Sequence, residues 1–146
     1  EITFNRKNNL IVIDYEPTYD KSGKLIKTIQ STNGVVSNGP PTLYTYKGRT
    51  TIKKEYNNLF IQKKDKLNRI IYSKTETIIA GKKSVTIVKW KRNKNGNVVK
   101  YTKLKDGKLI KKTIHNYIDG IEQSQIEEYF NPNYQVVTKF SYEYWD

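Results

Sequence analysis

Three short turn sequences in the second half of the chain constrain its fold more than any other feature. They are Asn95-Gly96, Asp106-Gly107 and Asp119-Gly120. Both central residues of a two-residue type I′ turn need a positive φ, which Asn, Asp and Gly tolerate best. The sequence therefore predicts four antiparallel strands, joined by three tight hairpins, between residues 90 and 129.

Counting outwards from each turn gives the expected register of these hairpins. The predicted facing pairs are Trp90–Tyr101, Lys91–Lys100, Leu104–Leu109, Tyr101–Lys112, Lys112–Glu127 and Lys111–Glu128. Because side chains alternate along a strand, the two faces of the sheet are expected to differ. One face should carry the apolar and aromatic residues Val88, Trp90, Val99, Tyr101, Ile110 and Ile114. The other should be a solvent-exposed, lysine-rich face that carries Lys89, Lys91, Lys100, Thr102, Lys111 and Thr113.

The rest of the chain extends the same pattern. Its 146 residues include twelve tyrosines and many β-branched residues, and no window has the apolar periodicity of an amphipathic helix. We therefore expect a single all-β domain over residues 1–146, with about ten to twelve antiparallel strands in meander order. The sheet is expected to curve and close towards a barrel or a two-layer sandwich. The apolar runs Leu10 to Ile13 and Ile70 to Tyr72 predict strands that are covered on both faces.

The composition excludes several kinds of functional site. The chain contains no Cys, so neither a disulfide framework nor a thiolate metal site is available. His115 is the only histidine, which excludes metal sites built from several imidazoles. No glycine-rich phosphate loop occurs, and no run approaches the roughly 20 apolar residues of a membrane-spanning helix. The sequence thus predicts no catalytic residue, no metal and no cofactor.

His115 keeps one enzymatic alternative open. In the counted register it lies opposite Ser124, and a His–Ser pair is one element of an activated nucleophile. No neighbouring group forms an oxyanion site, and no carboxylate is placed to orient the imidazole. A bacterial effector or hydrolase with a site near His115 is therefore retained only as an alternative to a non-enzymatic protein.

Positive charge is concentrated in the middle hairpins. The whole chain carries a formal charge of +13, and residues 81–112 contain 12 basic side chains against Asp106 alone, a net charge of +11. A surface of this kind attracts nucleic acid or acidic glycans. The candidate polyanion-binding residues are Lys89, Lys91, Lys100 and Lys111. The alternative interpretation is an ordinary solvated lysine surface.

Two aromatic residues face each other in the first of these hairpins. Trp90 and Tyr101 are candidates for a stacking platform that binds bases or sugars. Facing aromatic side chains are also common as a packed pair on the core side of a sheet. Both interpretations remain open at the level of sequence.

An internal repeat connects the two halves of the chain. The segment Gly23 to Ile29 recurs at Gly107 to Ile114 with one Lys inserted, and looser copies begin at Asn68 and Gly96. The copy with the most complete turn is Tyr19-Asp20-Lys21-Ser22-Gly23-Lys24-Leu25. It resembles the YD-type repeats of secreted and surface proteins of bacteria, whose unit is an aromatic-Asp turn, a Gly and a strand. This resemblance implies an array of β-hairpins in an exported or cell-surface setting.

Together these features favour a non-enzymatic β module that binds a partner protein or a cell surface. Because the chain lacks Met and starts at Glu1, we expect an exported protein whose signal peptide has been removed. Binding of a polyanion through the lysine-rich face is the second hypothesis.

Overall fold

The computed structural model describes residues 2–6 and 9–142, and it places side chains from residue 12 to residue 142. Within this part the chain forms strands joined by turns. In chain order the strands are β1 (Ile2–Arg6), β2 (Asn9–Tyr19), β3 (Leu25–Thr32), β4 (Val35–Val36), β5 (Thr42–Lys47), β6 (Thr50–Glu55), β7 (Asn58–Lys64), β8 (Ile70–Ile79), β9 (Lys82–Arg92), β10 (Val98–Lys105), β11 (Lys108–Ile118), β12 (Ile121–Phe130) and β13 (Asn133–Lys139).

All of these strands belong to one antiparallel sheet. Twelve follow each other in chain order across it, and the short β4 pairs only with β3, outside this path. The prediction of an all-β antiparallel meander with about ten to twelve strands is confirmed. Local hairpin pairing accounts for the order, because a strand that follows a tight turn meets its predecessor first.

The expected closure into a barrel or a two-layer sandwich is wrong. Within the described residues each strand contacts only its neighbours in the sheet, and β1 does not pair with β13. No hydrophobic side chain between residues 12 and 142 is fully buried, and the buried residues there are Ser31 and Thr113. The sheet is a single layer.

Lysines within the apolar rows explain why no second layer covers this sheet. On one face, facing residues run across five neighbouring strands as Ile52, Ile61, Lys74, Ile87 and Leu104. A second layer would remove the central ammonium group from water, at a cost of several kcal/mol. The prediction of strands covered on both faces also fails at Ile71, which is 36% exposed. The side chains of Leu10 and Ile11 lie outside the described part.

A β-bulge recurs at one position of the repeat. The register shifts by one residue at the third position after the Gly or Asn that ends the turn. The residues skipped by the pairing are Ile26, Ile71, Val99, Ile110 and Gln123. Four of the five belong to the repeat copies identified from sequence. The copies therefore share a backbone irregularity as well as residue types.

Three five-residue turns, at residues 20–24, 65–69 and 93–97, share one hydrogen-bonding pattern. The backbone N–H groups of Asp20, Asp65 and Asn93 each donate to the carbonyl four residues later, at 2.8, 2.9 and 3.0 Å. Their Oδ1 atoms accept a hydrogen bond from the N–H of that same later residue, at 3.0 Å in each case. These hydrogen bonds lower the pKa of Asp20, where the Lys24 backbone N–H is the main cause. The Arg69 side chain is the main cause for the lowered pKa of Asp65.

The turn at Asn95-Gly96 differs from the two-residue hairpin that we predicted. It is the five-residue turn that starts at Asn93, and of its two predicted central residues only Gly96 has a positive φ, at 92°. The pairs Trp90–Tyr101 and Lys91–Lys100 are nevertheless confirmed. The longer turn moves the register by one residue, and the bulge at Val99 moves it back.

The two turns at Asp106-Gly107 and Asp119-Gly120 have positive φ at both central residues, as predicted. Leu104 faces Leu109 as expected, but the bulge at Ile110 then shifts the pairing. Beyond it, Tyr101 pairs with Thr113. The bulge at Gln123 shifts the β11–β12 pairs in the same way, to Lys112–Glu128 and Lys111–Tyr129. The three predicted pairs that involve Lys111 or Lys112 are wrong by one residue.

A shift of one residue moves every following side chain to the other face. Thr113 and Lys111 therefore lie on the same face as Trp90 and Tyr101, which we call the aromatic face. Ile114 faces Lys100 and lies on the opposite side, which we call the lysine face. The predicted face assignments of Lys111, Thr113 and Ile114 are thus corrected.

Candidate functional site

A groove of about 310 Å³ opens on the aromatic face over β9 to β12. Its lining residues are Trp90, Val98, Tyr101, Lys111, Thr113, His115, Gln125 and Glu127. We call it the aromatic groove. Four strands contribute to it through facing pairs, so the sheet register sets its composition.

Trp90 and Tyr101 form the aromatic wall of this groove. Their ring centroids are 5.9 Å apart and the planes meet at 69°, an edge-to-face arrangement that favours both rings electrostatically. The two residues are half-buried. Burial raises the pKa of Tyr101, and the nearby charge of Lys111 opposes that rise in part. The two aromatic side chains thus pack against each other and also line an open groove.

Lys111, Glu127 and Tyr129 form a polar network beside the aromatic wall. The Lys111 ammonium lies 2.5 Å from a Glu127 carboxylate oxygen and donates to the Tyr129 hydroxyl at 2.9 Å. That hydroxyl donates in turn to the other Glu127 oxygen at 3.0 Å. The hydrogen bond from Lys111 lowers the pKa of Glu127, and the carboxylate raises the pKa of Lys111. Each member therefore holds the other two in place.

The aromatic ring of Tyr129 makes two further contacts, with Lys111 and with Tyr134. The Lys111 ammonium lies 4.8 Å from its centroid, a cation–π contact. On its other side the ring stacks on Tyr134 of β13, with centroids 4.4 Å apart and planes at 8°. Lys111 is consequently fixed through three different contacts.

His115 is bound to a carboxylate and not to Ser124. Its Nδ1 lies 2.6 Å from an oxygen of Glu122. The bulge at Gln123 shifts the register so that Ser124 faces Asn116, whose side-chain amide donates to the serine hydroxyl at 2.9 Å. The predicted His–Ser pair is therefore wrong, and its two members lie on opposite faces of the sheet.

The lysine face contains three of the four predicted lysines. Lys91 faces Lys100, and Lys89 lies two residues from Lys91 on the same strand, hence on the same face. All three are exposed, and among the described residues no carboxylate lies within 4.0 Å of them. We call them the lysine trio. Their neighbour Lys112 is instead paired with Glu128 at 2.7 Å.

A second groove, of about 470 Å³, lies on the aromatic face beside the irregular segment that follows β4. Pro40 and Pro41 form one side, and Tyr15 of β2 and Tyr56 of the β6–β7 turn also line it. Both tyrosines are exposed, at 47% and 68%. This groove has no fixed polar network comparable with that of Lys111 and Glu127.

Metal ligands and membrane-spanning helices are two further features that could define a site within the described residues. In that part no three His, Cys, Asp or Glu side chains are arranged to hold a metal ion. No helix long and apolar enough to cross a membrane occurs there.

Sequence reasoning identified the aromatic pair but missed the polar half of the groove. Lys111 was assigned to the wrong face, Glu127 was paired with Lys112, and Gln125 was not singled out. One available signal was the adjacent apolar pair Leu109-Ile110, because similar pairs stand at three other bulges of the sheet.

Comparisons with known proteins give little further information. No protein-family model matches the chain, and no curated protein matches it significantly. Among solved structures, it is similar to a protein with unknown function from Bacteroides fragilis NCTC 9343. The two share 14% identity over 88% of this chain and 89% of that chain, with a TM-score of 0.28.

Proposed function

We propose that the chain is a non-enzymatic binding module, exported or associated with a cell surface, that contacts its partner through the aromatic face. The observation that carries this proposal is the aromatic groove in a single-layer sheet. In a sandwich or barrel, Trp90 and Tyr101 would lie in the hydrophobic core, whereas here they line a surface that a partner can reach. The YD-type resemblance of the turns supports the exported setting.

The composition of the groove suits recognition. Trp and Tyr supply large contact areas with little loss of side-chain entropy, and they are enriched among residues that dominate binding energy. The network of Lys111, Glu127 and Tyr129 adds polar groups whose positions are already fixed. Preorganised groups of this kind reduce the entropic cost of association.

The test is binding of fluorescently labelled protein to intact bacterial and mammalian cells. We expect Trp90→Ala to bind at least tenfold more weakly than the wild type, because a central aromatic anchor is typically worth 2 kcal/mol or more. Tyr19→Ala is the matched control, since Tyr19 is a 57% exposed aromatic residue outside the grooves. Binding by Trp90→Ala as strong as that of the wild type, with unchanged circular dichroism, would remove the aromatic groove from the proposal.

The lysine trio favours a second candidate function, the binding of a polyanion. Three like charges that face or flank each other are mildly destabilising, and nothing in the described structure neutralises them. An anionic partner would do so. This surface is on the opposite face from the aromatic groove, so the two functions are physically separable.

Heparin and single-stranded DNA titrations test the second candidate. Replacing the lysine trio by Gln should remove most of the binding and reduce the salt dependence of log K for single-stranded DNA by about 2. The matched control also removes three exposed charges, one from each five-residue turn, by changing Lys21, Lys66 and Lys94 to Gln. If both triple variants lose the same affinity, the binding depends on net charge and not on this surface.

A further inference from the structure

We propose that the aromatic groove is a binding site for a neutral saccharide. This inference rests on the proposed binding function and specifies the class of ligand. It is carried by the combination, in one groove, of an uncapped aromatic pair, a fixed set of hydrogen-bonding groups and internally balanced charge.

The aromatic pair differs from four other rings of the sheet in what covers it. Lysine ammonium groups lie 4.8–5.7 Å from the ring centroids of four aromatic residues. These residues are Tyr46, Phe60, Tyr72 and Tyr129. Among the described side chains no cation lies over Trp90 or Tyr101. The electron-rich face of an aromatic ring attracts the weakly positive C–H groups on one side of a sugar ring.

The groove also presents both donors and acceptors, as a sugar hydroxyl requires. The Lys111 ammonium supplies donors, and the Glu127 carboxylate has lone pairs beyond those used by Lys111 and Tyr129. The Gln125 side-chain amide has both functions and makes no hydrogen bond within the described part of the chain. Its groups are therefore available to a ligand.

The charges explain why we choose a neutral ligand. Lys111 is paired with Glu127, and His115 contacts Glu122, so the groove has no unpaired cation to bind phosphate, sulfate or carboxylate. The unpaired lysine trio lies on the other face. Lys103 faces Lys111 on the aromatic face but is not among the lining residues of the groove. The groove volume of about 310 Å³ also lies at the lower end of the range for small-molecule sites.

The experiment is a titration of the full chain with neutral hexasaccharides of glucose, mannose, xylose and N-acetylglucosamine, followed by amide chemical shifts. Trp90 fluorescence provides a second signal in a Trp145→Phe background, because the chain has two tryptophans. We expect at least one sugar to bind with a Kd below about 1 mM. Trp90→Ala and Gln125→Ala should each weaken that binding at least tenfold, and Lys89→Gln on the opposite face should leave it unchanged.

Gln125→Ala keeps the test decisive if Trp90→Ala fails to fold, since an amide without a partner contributes little to stability. Absence of saturable shifts with every sugar would overturn the inference, and so would Trp90-dependent binding of single-stranded DNA. Cell binding that needs Trp90 but survives enzymatic removal of surface glycans would leave the binding module intact and refute the saccharide site. Cell binding that does not need Trp90 would refute the aromatic face as the binding surface as well.

Discussion

Replacement of Gly107 by Val tests whether the Asp106-Gly107 turn sets the register on which the groove depends. Gly107 has a φ of +81°, and a Cβ atom added there would meet nothing within 4 Å. The cost is therefore backbone strain alone, about 2 kcal/mol for a β-branched residue in the left-handed region. For a chain of this size that loss corresponds to a fall in Tm of about 4–8 °C in a thermal melt.

Gly39→Val is the matched control for this experiment. Gly39 lies outside the left-handed region, and its added Cβ would make only an ordinary contact with the Ser37 Oγ at 3.4 Å. We expect its Tm to change by about 2 °C or less. A third variant, Gly107→Asn, should lose less than Gly107→Val because Asn tolerates positive φ. Equal losses for the two valine variants would refute the assigned turn geometry and the register derived from it.

Three further predictions concern the groove itself. Glu127→Gln should lower stability by about 1 kcal/mol at neutral pH. Lys111 lowers the folded-state pKa of Glu127, so the carboxylate stabilises the fold only while it is ionised. The difference in Tm between the wild type and Glu127→Gln should therefore vanish as the pH falls well below the carboxyl's ordinary pKa of 4.5. His115→Ala should leave any biological activity within about threefold of the wild type, whereas a loss of a hundredfold or more with the fold intact would mean an acid–base role. Deletion of Ile110 should remove the bulge and keep Thr113 opposite Tyr101, because Leu104–Leu109 and Lys103–Lys111 then become consecutive pairs. Loss of amide-exchange protection in β10 and β11 would contradict this register.

Much of the fold could be predicted from sequence because it depends on short-range turn chemistry. The hairpins at Asp106-Gly107 and Asp119-Gly120 formed where the dipeptides indicated. Antiparallel order followed, since tight turns leave no other topology. Closure of the sheet could not be predicted in the same way. It depends on whether whole cross-strand rows are apolar, and one residue such as Lys74 between Ile61 and Ile87 is enough to keep a row in water.

The candidate site was predicted correctly only as far as the bulge at Ile110. Trp90 and Tyr101 lie on the near side of Ile110, so their pairing and their shared face were correct. Lys111 lies just beyond it, and its face was therefore inverted. The turn dipeptide alone does not predict whether a bulge follows it. The Ala80-Gly81 turn also has two positive φ values, yet the pairing after it is unbroken.

The residues after the turn carry a signal that separates these cases. Four of the five bulges occur where two branched apolar residues are adjacent, as in Leu109-Ile110 and Val98-Val99. Strict alternation would send one member of each pair to the other face, and a bulge relieves that constraint by inserting an unpaired residue. After Ala80-Gly81 the chain continues with Lys82-Lys83, where alternation costs nothing. The function of this sheet thus depends on local departures from regular pairing, since the bulge at Ile110 is what places Lys111 beside Trp90 and Tyr101 to form the groove.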